Sequence, residues 1–289
     1  MITTIIWGSA FIFQDIGMEY VEPLTFNVVR CLTCTIFLFL LSFILSKFKK
    51  KEEQVKIKQS NKDLLIGGLV CGLFLGAAMA TQQIGINTEG AGRSGFITSL
   101  YIIFVPITGL FFKQKISPFV LLALILATLG LFLINYQDGM LEFSVGSIWL
   151  LGCAIFYAFQ IIAVGYYSPK CDAIKLTAVQ FLFGGIFQIP FMFIFENPEW
   201  ANIIKAAVPI LYCGIMSSGI AFTIQVYTQK YIEATIASMI MSLESVFSII
   251  FAAIILKETY ILPEIYGCIL IFSAVIITQI PNKKNQVNA

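Results

Sequence analysis

Histidine is absent from this sequence, and charged residues make up only 12% of it. The sequence also lacks the HExxH, GxSxG and P-loop motifs, and Asp15 is the only aspartate well inside an apolar run. These absences argue against a metalloprotease, a serine hydrolase, a membrane aspartyl protease and an ATP-driven pump. We therefore predict that the chain is not an enzyme and needs no cofactor.

Cysteine is present but shows no ligand pattern. Seven cysteines are scattered through apolar segments, and only Cys31 and Cys34 form a CxxC. A structural zinc site needs about four ligands, and a free cysteine otherwise behaves as a small apolar residue. All seven are interpreted as packing residues, and no metal site is expected.

Long apolar runs dominate the sequence instead. The hydrophobic fraction is 58% and the mean hydropathy is +0.90, whereas a soluble domain averages ~25% charged residues. Each run has ~20 residues, enough to cross ~30 Å of hydrocarbon as a helix. The sequence predicts an all-α membrane protein with ten transmembrane helices, at residues 2–18, 24–46, 64–86, 93–112, 118–135, 146–167, 174–195, 205–228, 234–256 and 260–280.

The positions of the basic residues predict the orientation in the membrane. Most of the 18 lysine and arginine residues fall on one side, including those of the polar run at residues 47–63, whereas Lys205 and Lys257 fall on the other. Because lysine and arginine accumulate in cytoplasmic loops, both termini are expected in the cytoplasm and the protein in the plasma (inner) membrane. The first span lacks the basic start and the cleavage site of a signal peptide.

The second half of the sequence weakly repeats the first. A shift of about half the chain length superposes three polar pairs: Glu89 with Glu233, Ser94 with Ser238, and Lys113 with Lys257. Five spans per half is an odd number, so the halves cross the membrane in opposite senses, as in carriers that expose a central site alternately to each side. We expect two five-helix inverted-topology repeats, at residues 1–135 and 146–280, and a cytoplasmic tail at residues 281–289.

Several stretches resemble motifs of one transporter family. WGSAF begins at Trp7, PLTFNVVR ends at Arg30, and SLESVFSIIFAAIILKE contains Glu244. In order and spacing, and over the whole chain, they are similar to the first-, second- and ninth-helix motifs of the EamA group of the drug/metabolite transporter superfamily. The sequence departs from the family pattern at Ser245, where the family has proline, and at Lys257, where it has glycine.

This resemblance implies a ten-helix secondary transporter of amino acids or related metabolites, with export as the expected direction. Together with the inverted repeat, it predicts alternating access for a small polar metabolite. The alternative is an uptake carrier for a small organic cation such as a quaternary amine, held by an acid and an aromatic box. A channel shows a filter loop or a charged ring, and neither is visible; a scaffold is disfavoured by the repeat and by polar residues at membrane depth.

Glu244 is the sharpest candidate for a functional residue. At about 100° per residue it shares one face of its predicted helix with Met241, Ser238, Ser242, Ser245 and Ser248. A charge facing lipid costs ~2.5–3.5 kcal/mol, so this face is expected to point at a cavity or at packed helices. The carboxylate then either binds substrate or a proton, or is a structural group satisfied by hydroxyls or by Arg30.

Other residues at membrane depth complete the predicted site. Arg30 is the candidate partner of Glu244, or its side chain snorkels to the outer surface; its repeat equivalent is Gln180. Aromatic residues form a ligand-facing wall or simply pack, and Gln160 lies one helical turn from Tyr157. The set predicted to line one central space and bind substrate is Trp7, Arg30, Tyr101, Tyr157, Gln160, Gln180 and Glu244.

The expected partners are a small-molecule substrate, the lipid bilayer and a proton as coupling ion, without nucleic acid. Gly68, Gly72 and Gly76 form a GxxxGxxxG pattern, which predicts close helix approach, within the chain or between two copies. The oligomeric state is expected to be a monomer or a homodimer.

Overall fold

The computed structural model describes residues 1–48, 60–111, 118–134, 144–257 and 262–278. These residues are almost entirely helical and contain no strand. The α-helices are α1 (Ile2–Met18), α2 (Pro23–Phe48), α3 (Asn61–Glu89), α4 (Ala91–Thr98), α5 (Tyr101–Phe111), α6 (Pro118–Ile134), α7 (Val145–Tyr167), α8 (Ala173–Phe195), α9 (Trp200–Lys205), α10 (Ala207–Leu211), α11 (Phe222–Thr228), α12 (Ala234–Met241), α13 (Leu243–Phe251) and α14 (Leu262–Thr278). The predicted tail and most of the polar run at residues 47–63 lie outside the described residues.

The described part of the chain contains seven helical stretches that are long and apolar enough to cross a membrane, and three shorter apolar helices. The seven are Pro23–Phe48, Asn61–Glu89, Ala91–Gly109, Val145–Lys170, Ala173–Phe195, Ala207–Thr228 and Ala234–Ile255. Their outward faces carry exposed leucine, isoleucine and phenylalanine side chains, which suits contact with lipid. The prediction of an all-α, multi-pass membrane protein is confirmed.

Two helical stretches predicted to be continuous are interrupted near their middle. α4 and α5 divide one of them at Ser99 and Leu100, and α12 and α13 divide the other at Ser242. The hydroxyl of Ser99 donates to the Gly95 carbonyl, and that of Ser242 to the Met239 carbonyl. Serine hydroxyls that bond to the preceding turn compete with the backbone ladder and bend helices. The predicted internal repeat places the two interruptions within one residue of each other, because it aligns Ser242 with Thr98, the residue before Ser99.

Glycine brings α3 and α8 into backbone contact. A Cβ atom on Gly72 would lie 2.6 Å from the carbonyl oxygen of Gln180, and one on Gly76 would lie 2.9 Å from that of Gly184. Because a larger residue would collide with main-chain atoms, only glycine permits this approach. The GxxxGxxxG pattern is confirmed as a packing motif within the chain, and the contact holds α8 firmly against α3.

The helix that carries Glu244 packs against α1 in the same way. A Cβ atom on Gly8 would lie 2.5 Å from the Cβ of Phe247 and 2.8 Å from the backbone nitrogen of Ser248. Gly8 follows Trp7 in the WGSAF stretch. The glycine of this motif therefore sets the distance between α1 and α13, and with it the spacing of Trp7 and Glu244.

Two π-helical segments widen the bundle locally. One, Tyr212–Ala221, joins α10 to α11, and the other, Ala252–Leu256, follows α13. The first begins three residues after Pro209 and contains two glycines and two serines. These residue types support the α-helical hydrogen-bond ladder poorly, and π-helical turns occur frequently at functional sites.

Candidate functional site

A cavity lies among helices from both halves of the chain, and the free space within it and at its opening is about 420 Å³. Six of the seven predicted site residues line it: Trp7, Arg30, Tyr101, Tyr157, Gln160 and Glu244. Gln180 is not in the wall, and its prediction is corrected: it lies behind Gln160, whose Nε2 donates to Gln180 Oε1 at 3.2 Å. The contact of α8 with α3 keeps Gln180 in that outer layer.

Arg30 is a buried cation in the cavity wall, with 2% of its surface exposed. Its Nε donates to Ser218 Oγ at 2.8 Å, its Nη1 to Gln14 Oε1 at 2.8 Å, and its Nη2 to Ser217 Oγ at 3.1 Å. Gln14 is itself oriented, because its Nε2 donates to the Ala10 carbonyl at 3.2 Å. All three acceptors are neutral, and a guanidinium has five N–H groups. Two donors are therefore left for a ligand.

Glu244 is a buried carboxylate in the same wall, with 5% of its surface exposed. It stands in the first turn of α13, where the positive end of the helix dipole stabilises an anion. The hydroxyls of Tyr101 and Ser99 lie beside it. The interruptions in the two helices thus bring Ser99 and Tyr101, from the first half of the chain, to a carboxylate from the second half.

The expected pairing of Arg30 with Glu244 is wrong. Among the described residues, no lysine or arginine nitrogen lies within 4.0 Å of the Glu244 carboxylate. Ser245 and Ser248 do not satisfy it either, because each hydroxyl donates to a backbone carbonyl of its own helix. The reason is that Arg30 is drawn to the hydroxyls of the π-helical segment. A guanidinium and a carboxyl group therefore face one cavity without forming an ion pair.

The aromatic residues form part of the wall and are held by specific contacts. Trp7 Nε1 donates to the Ser217 carbonyl at 3.3 Å, and its ring lies 4.8 Å from that of Phe222. The Tyr157 hydroxyl donates to Gln82 Oε1 at 3.3 Å. The rings of Tyr101 and Tyr157 meet edge to face at 6.4 Å. These contacts fix the rings in place, so the wall is preformed.

A chain of buried glutamines runs from the cavity to the end of α11. Gln229 Nε2 donates to the Ile161 carbonyl at 3.0 Å, and a carbonyl can only accept. Gln229 must therefore present its Oε1 to Gln225, whose Nε2 donates to it at 3.0 Å and to Gln160 Oε1 at 3.4 Å. One backbone carbonyl thus orients the amides one after another, and it leaves Gln225 Oε1 as an acceptor without a partner among the described residues.

Sequence reasoning did not assign five polar residues of the site: Gln14, Gln82, Ser217, Ser218 and Gln225. The three glutamines could have been assigned to the site from the sequence, because an amide in an apolar span needs a hydrogen-bonding partner. The two serines gave little such indication, because serine in a helix usually satisfies itself on its own backbone. Only the π-helical geometry turns this serine pair toward Arg30.

The sequence profile of the EamA-like transporter family matches residues 1–136 and, separately, residues 144–280. The chain belongs to the EamA-like transporter family. An uncharacterized transporter of Archaeoglobus fulgidus is 27% identical over 280 residues, which cover 96% of this chain and 84% of the relative. The uncharacterized transporter YoaV of Bacillus subtilis is 25% identical over 276 residues, with 93% and 91% coverage.

The fold of this EamA-like transporter also occurs in a solved crystal structure. The two share a TM-score of 0.73 over 98% of each chain, at 13% sequence identity. At that identity the likeness concerns the fold alone. Together with the family match, the apolar helices establish a multi-pass membrane transporter, and the cavity is the candidate substrate site.

Proposed function

We propose that the protein is a secondary transporter that moves an amino acid or a related small polar metabolite by alternating access, with export as the direction. The observation that carries this proposal is that a buried guanidinium, Arg30, and a buried carboxyl group, Glu244, face one cavity without forming an ion pair with each other. A buried charge is costly unless it is paired. A zwitterion supplies both partners, its carboxylate to the guanidinium and its ammonium to the carboxylate.

The site offers each end of a zwitterion suitable groups. The planar guanidinium of Arg30 binds a carboxylate through two parallel hydrogen bonds. At the other charge, the hydroxyls of Tyr101 and Ser99 stand beside Glu244, where an ammonium group would find further oxygen acceptors. The aromatic rings give the cavity apolar surface for the remainder of the substrate. The bound molecule would thus supply a partner to each of the two groups, which do not pair with each other.

Matched ligands test this proposal. Purified protein should be stabilised against thermal unfolding more strongly by an α-amino acid than by the amine that lacks its carboxylate or by the acid that lacks its amine. The same amino acid, radiolabelled, should show counterflow into proteoliposomes loaded with unlabelled compound. Equal stabilisation by the amine alone would contradict zwitterion recognition, and absence of counterflow for every stabilising ligand would contradict transport.

A second candidate, uptake of a small organic cation, has its own support in Trp7, Tyr101 and Tyr157 around Glu244. Aromatic faces and a carboxylate bind quaternary ammonium groups. The buried guanidinium in the same wall repels such a ligand, and for that reason we favour the zwitterion. A quaternary amine that stabilises the protein more than any amino acid would reverse this order.

We further propose the ten-helix, two-repeat architecture, with repeats at residues 1–135 and 146–280. Its support is the twofold match of the family profile and the equivalent interruptions at Ser99–Leu100 and Ser242. Discontinuous helices near the bilayer midplane are typical of substrate sites in inverted-repeat transporters. The working unit is a monomer or a homodimer in the lipid bilayer, with a proton as the coupling ion and no nucleic-acid partner.

The proposed orientation in the plasma membrane predicts an asymmetric labelling pattern. Lys62 precedes the apolar part of α3 and Glu199 precedes α9, and both side chains are exposed. With cytoplasmic termini, Glu199→Cys should react with a membrane-impermeant maleimide in intact cells, whereas Lys62→Cys should react only after the inner face is opened. The native cysteines of the described residues are buried or half-buried, so the parent protein gives the background. Labelling of Lys62→Cys in intact cells would reverse the orientation.

A further inference from the structure

A carboxylate at the end of α8 binds the beginning of α2. Glu196 directly follows α8 and is buried, with 9% of its surface exposed. Its Oε1 accepts a hydrogen bond from the Leu24 amide at 2.7 Å, and its Oε2 accepts from the Thr25 amide at 2.6 Å and the Thr25 hydroxyl at 2.7 Å. One side chain thus makes three short, charge-assisted hydrogen bonds to the first turn of another helix.

The amides at the start of a helix have no partner within that helix, and the positive end of its dipole attracts an anion. In α2 this partner comes from a distant part of the sequence. Glu22, the residue directly before α2, instead accepts a hydrogen bond from the Asn197 amide at 3.2 Å. Each of the two segments therefore contributes a carboxylate that accepts a hydrogen bond from a backbone amide of the other segment. We call this set of contacts, made by Glu22, Leu24, Thr25, Glu196 and Asn197, the latch.

The corresponding contact at the other end of the bundle is not made. The internal repeat aligns Glu22 with Asp172 and, continued along the helix, Glu196 with Ser46. Asp172 caps its own helix, because it accepts from the Lys175 amide at 3.1 Å. Ser46 is exposed, and its hydroxyl donates to the Phe43 carbonyl of its own helix at 2.6 Å. Among the described residues, side-chain hydrogen bonds therefore join α2 to the α8 segment at the beginning of α2 and not at its end, although the two helices also pack together along their middles.

The second half of α2 shows the consequence. Residues 39–48 are exposed or half-buried, whereas much of the first half of the helix is buried. Arg30 lies five residues after Thr25, about 7.5 Å along the helix from the latch at 1.5 Å per residue. The part of α2 that carries the cavity's cation is thus held by the latched end.

We propose that the latch is the closed gate at one end of the transport path, and that Glu196 must leave the start of α2 in every transport cycle. This proposal rests on the transport function proposed above. Glu196 does not line the cavity, so it acts as a positioning residue through α2. Release of its three hydrogen bonds frees the beginning of α2 to move from α8 and opens the cavity at that end, while the unlatched end closes.

Solvent access at the latched end tests the proposal. Val21 is buried there, with 7% of its surface exposed, so a Val21→Cys thiol reports opening through its reaction with a membrane-impermeant maleimide, applied to intact cells and to inside-out vesicles. Adding Glu196→Ala should raise the labelling rate from the latch side about tenfold, since it removes three hydrogen bonds from the closed state. Adding Glu199→Ala is the matched control, because this exposed carboxylate accepts only from Asn202 Nδ2 and does not touch α2.

A milder variant keeps the test decisive if Glu196→Ala does not fold. Thr25→Val preserves the shape of the side chain and removes only the hydroxyl contact, and it should raise the labelling rate about threefold. Labelling that is the same with Glu196→Ala, Thr25→Val and Glu199→Ala would overturn the latch. The readout needs no substrate, so unchanged access with normal amino-acid counterflow refutes the latch alone. Increased access in the variants, when the parent protein shows no amino-acid counterflow, supports the latch and refutes the proposed substrate.

Discussion

We expect the Glu244→Gln protein to fold and insert normally but to transport its substrate at least about tenfold more slowly. Glutamine keeps the shape of the side chain beside the hydroxyls of Tyr101 and Ser99, and it removes the ionisable group. Without the carboxylate, the substrate ammonium loses its counter-charge. Uptake into proteoliposomes, measured with the substrate found by counterflow, gives the rate.

The matched control for this substitution is Glu233→Gln. Glu233 directly precedes α12, is exposed and makes no side-chain cap to that helix, so its neutralisation should leave transport unchanged. Because carboxylates bind protons when buried without a counter-charge, a proton-coupled mechanism also predicts that Glu244→Gln loses the pH dependence of transport. A Glu244→Gln protein that transports like the parent across roughly pH 5.5 to 8 would leave this residue with a structural role only.

Replacing Arg30 should have an effect of similar size but a different substrate dependence. Arg30→Lys keeps the positive charge, but a lysine cannot reproduce the planar fork that reaches Gln14, Ser217 and Ser218 together with a carboxylate. We expect transport of the amino acid to fall at least about tenfold. Binding of the matched amine that lacks a carboxylate should change little, and this difference separates a ligand contact from a general loss of packing.

Arg93→Gln controls for the loss of an arginine in the same protein. Arg93 is partly exposed and pairs with Glu89 at 3.1 Å near the start of α4, away from the cavity wall. Its replacement should leave both transport and ligand-induced stabilisation as in the parent. If Arg30→Lys weakens the amine and the amino acid by the same factor in thermal-shift titrations, Arg30 does not bind the carboxylate.

Helix positions followed from the sequence because twenty-residue apolar runs have few alternatives in a membrane. The candidate cavity residues on regular helices also followed, since helical periodicity assigns Glu244 and its serines to one face. Trp7, Tyr101 and Tyr157 were also candidates for the cavity wall, because they lie at depth within the predicted apolar spans. These features depend on local spacing, which the sequence displays directly.

Other features depended on how helices rotate against one another, and local spacing does not encode that. Gln180 was placed in the wall through its repeat equivalence to Arg30, but the glycine contact of α8 with α3 holds it one layer back. The pairing of Arg30 with Glu244 followed from opposite charge alone. The hydroxyls of Ser217 and Ser218 competed successfully, because the π-helical turns of that segment direct both of them at the guanidinium.

The π-helical segment Tyr212–Ala221 also has a consequence for how this gene can vary. A π-helical turn holds more residues than an α-helical turn of the same path, so it corresponds to an inserted amino acid that the helix has absorbed. Loss of a single codon there would restore the α-helical ladder and leave the residues downstream facing much as before. It would, however, remove the turns that direct the hydroxyls of Ser217 and Ser218 at Arg30, although neither serine had itself been replaced. Deletions in this stretch are therefore expected to be far less tolerated than substitutions.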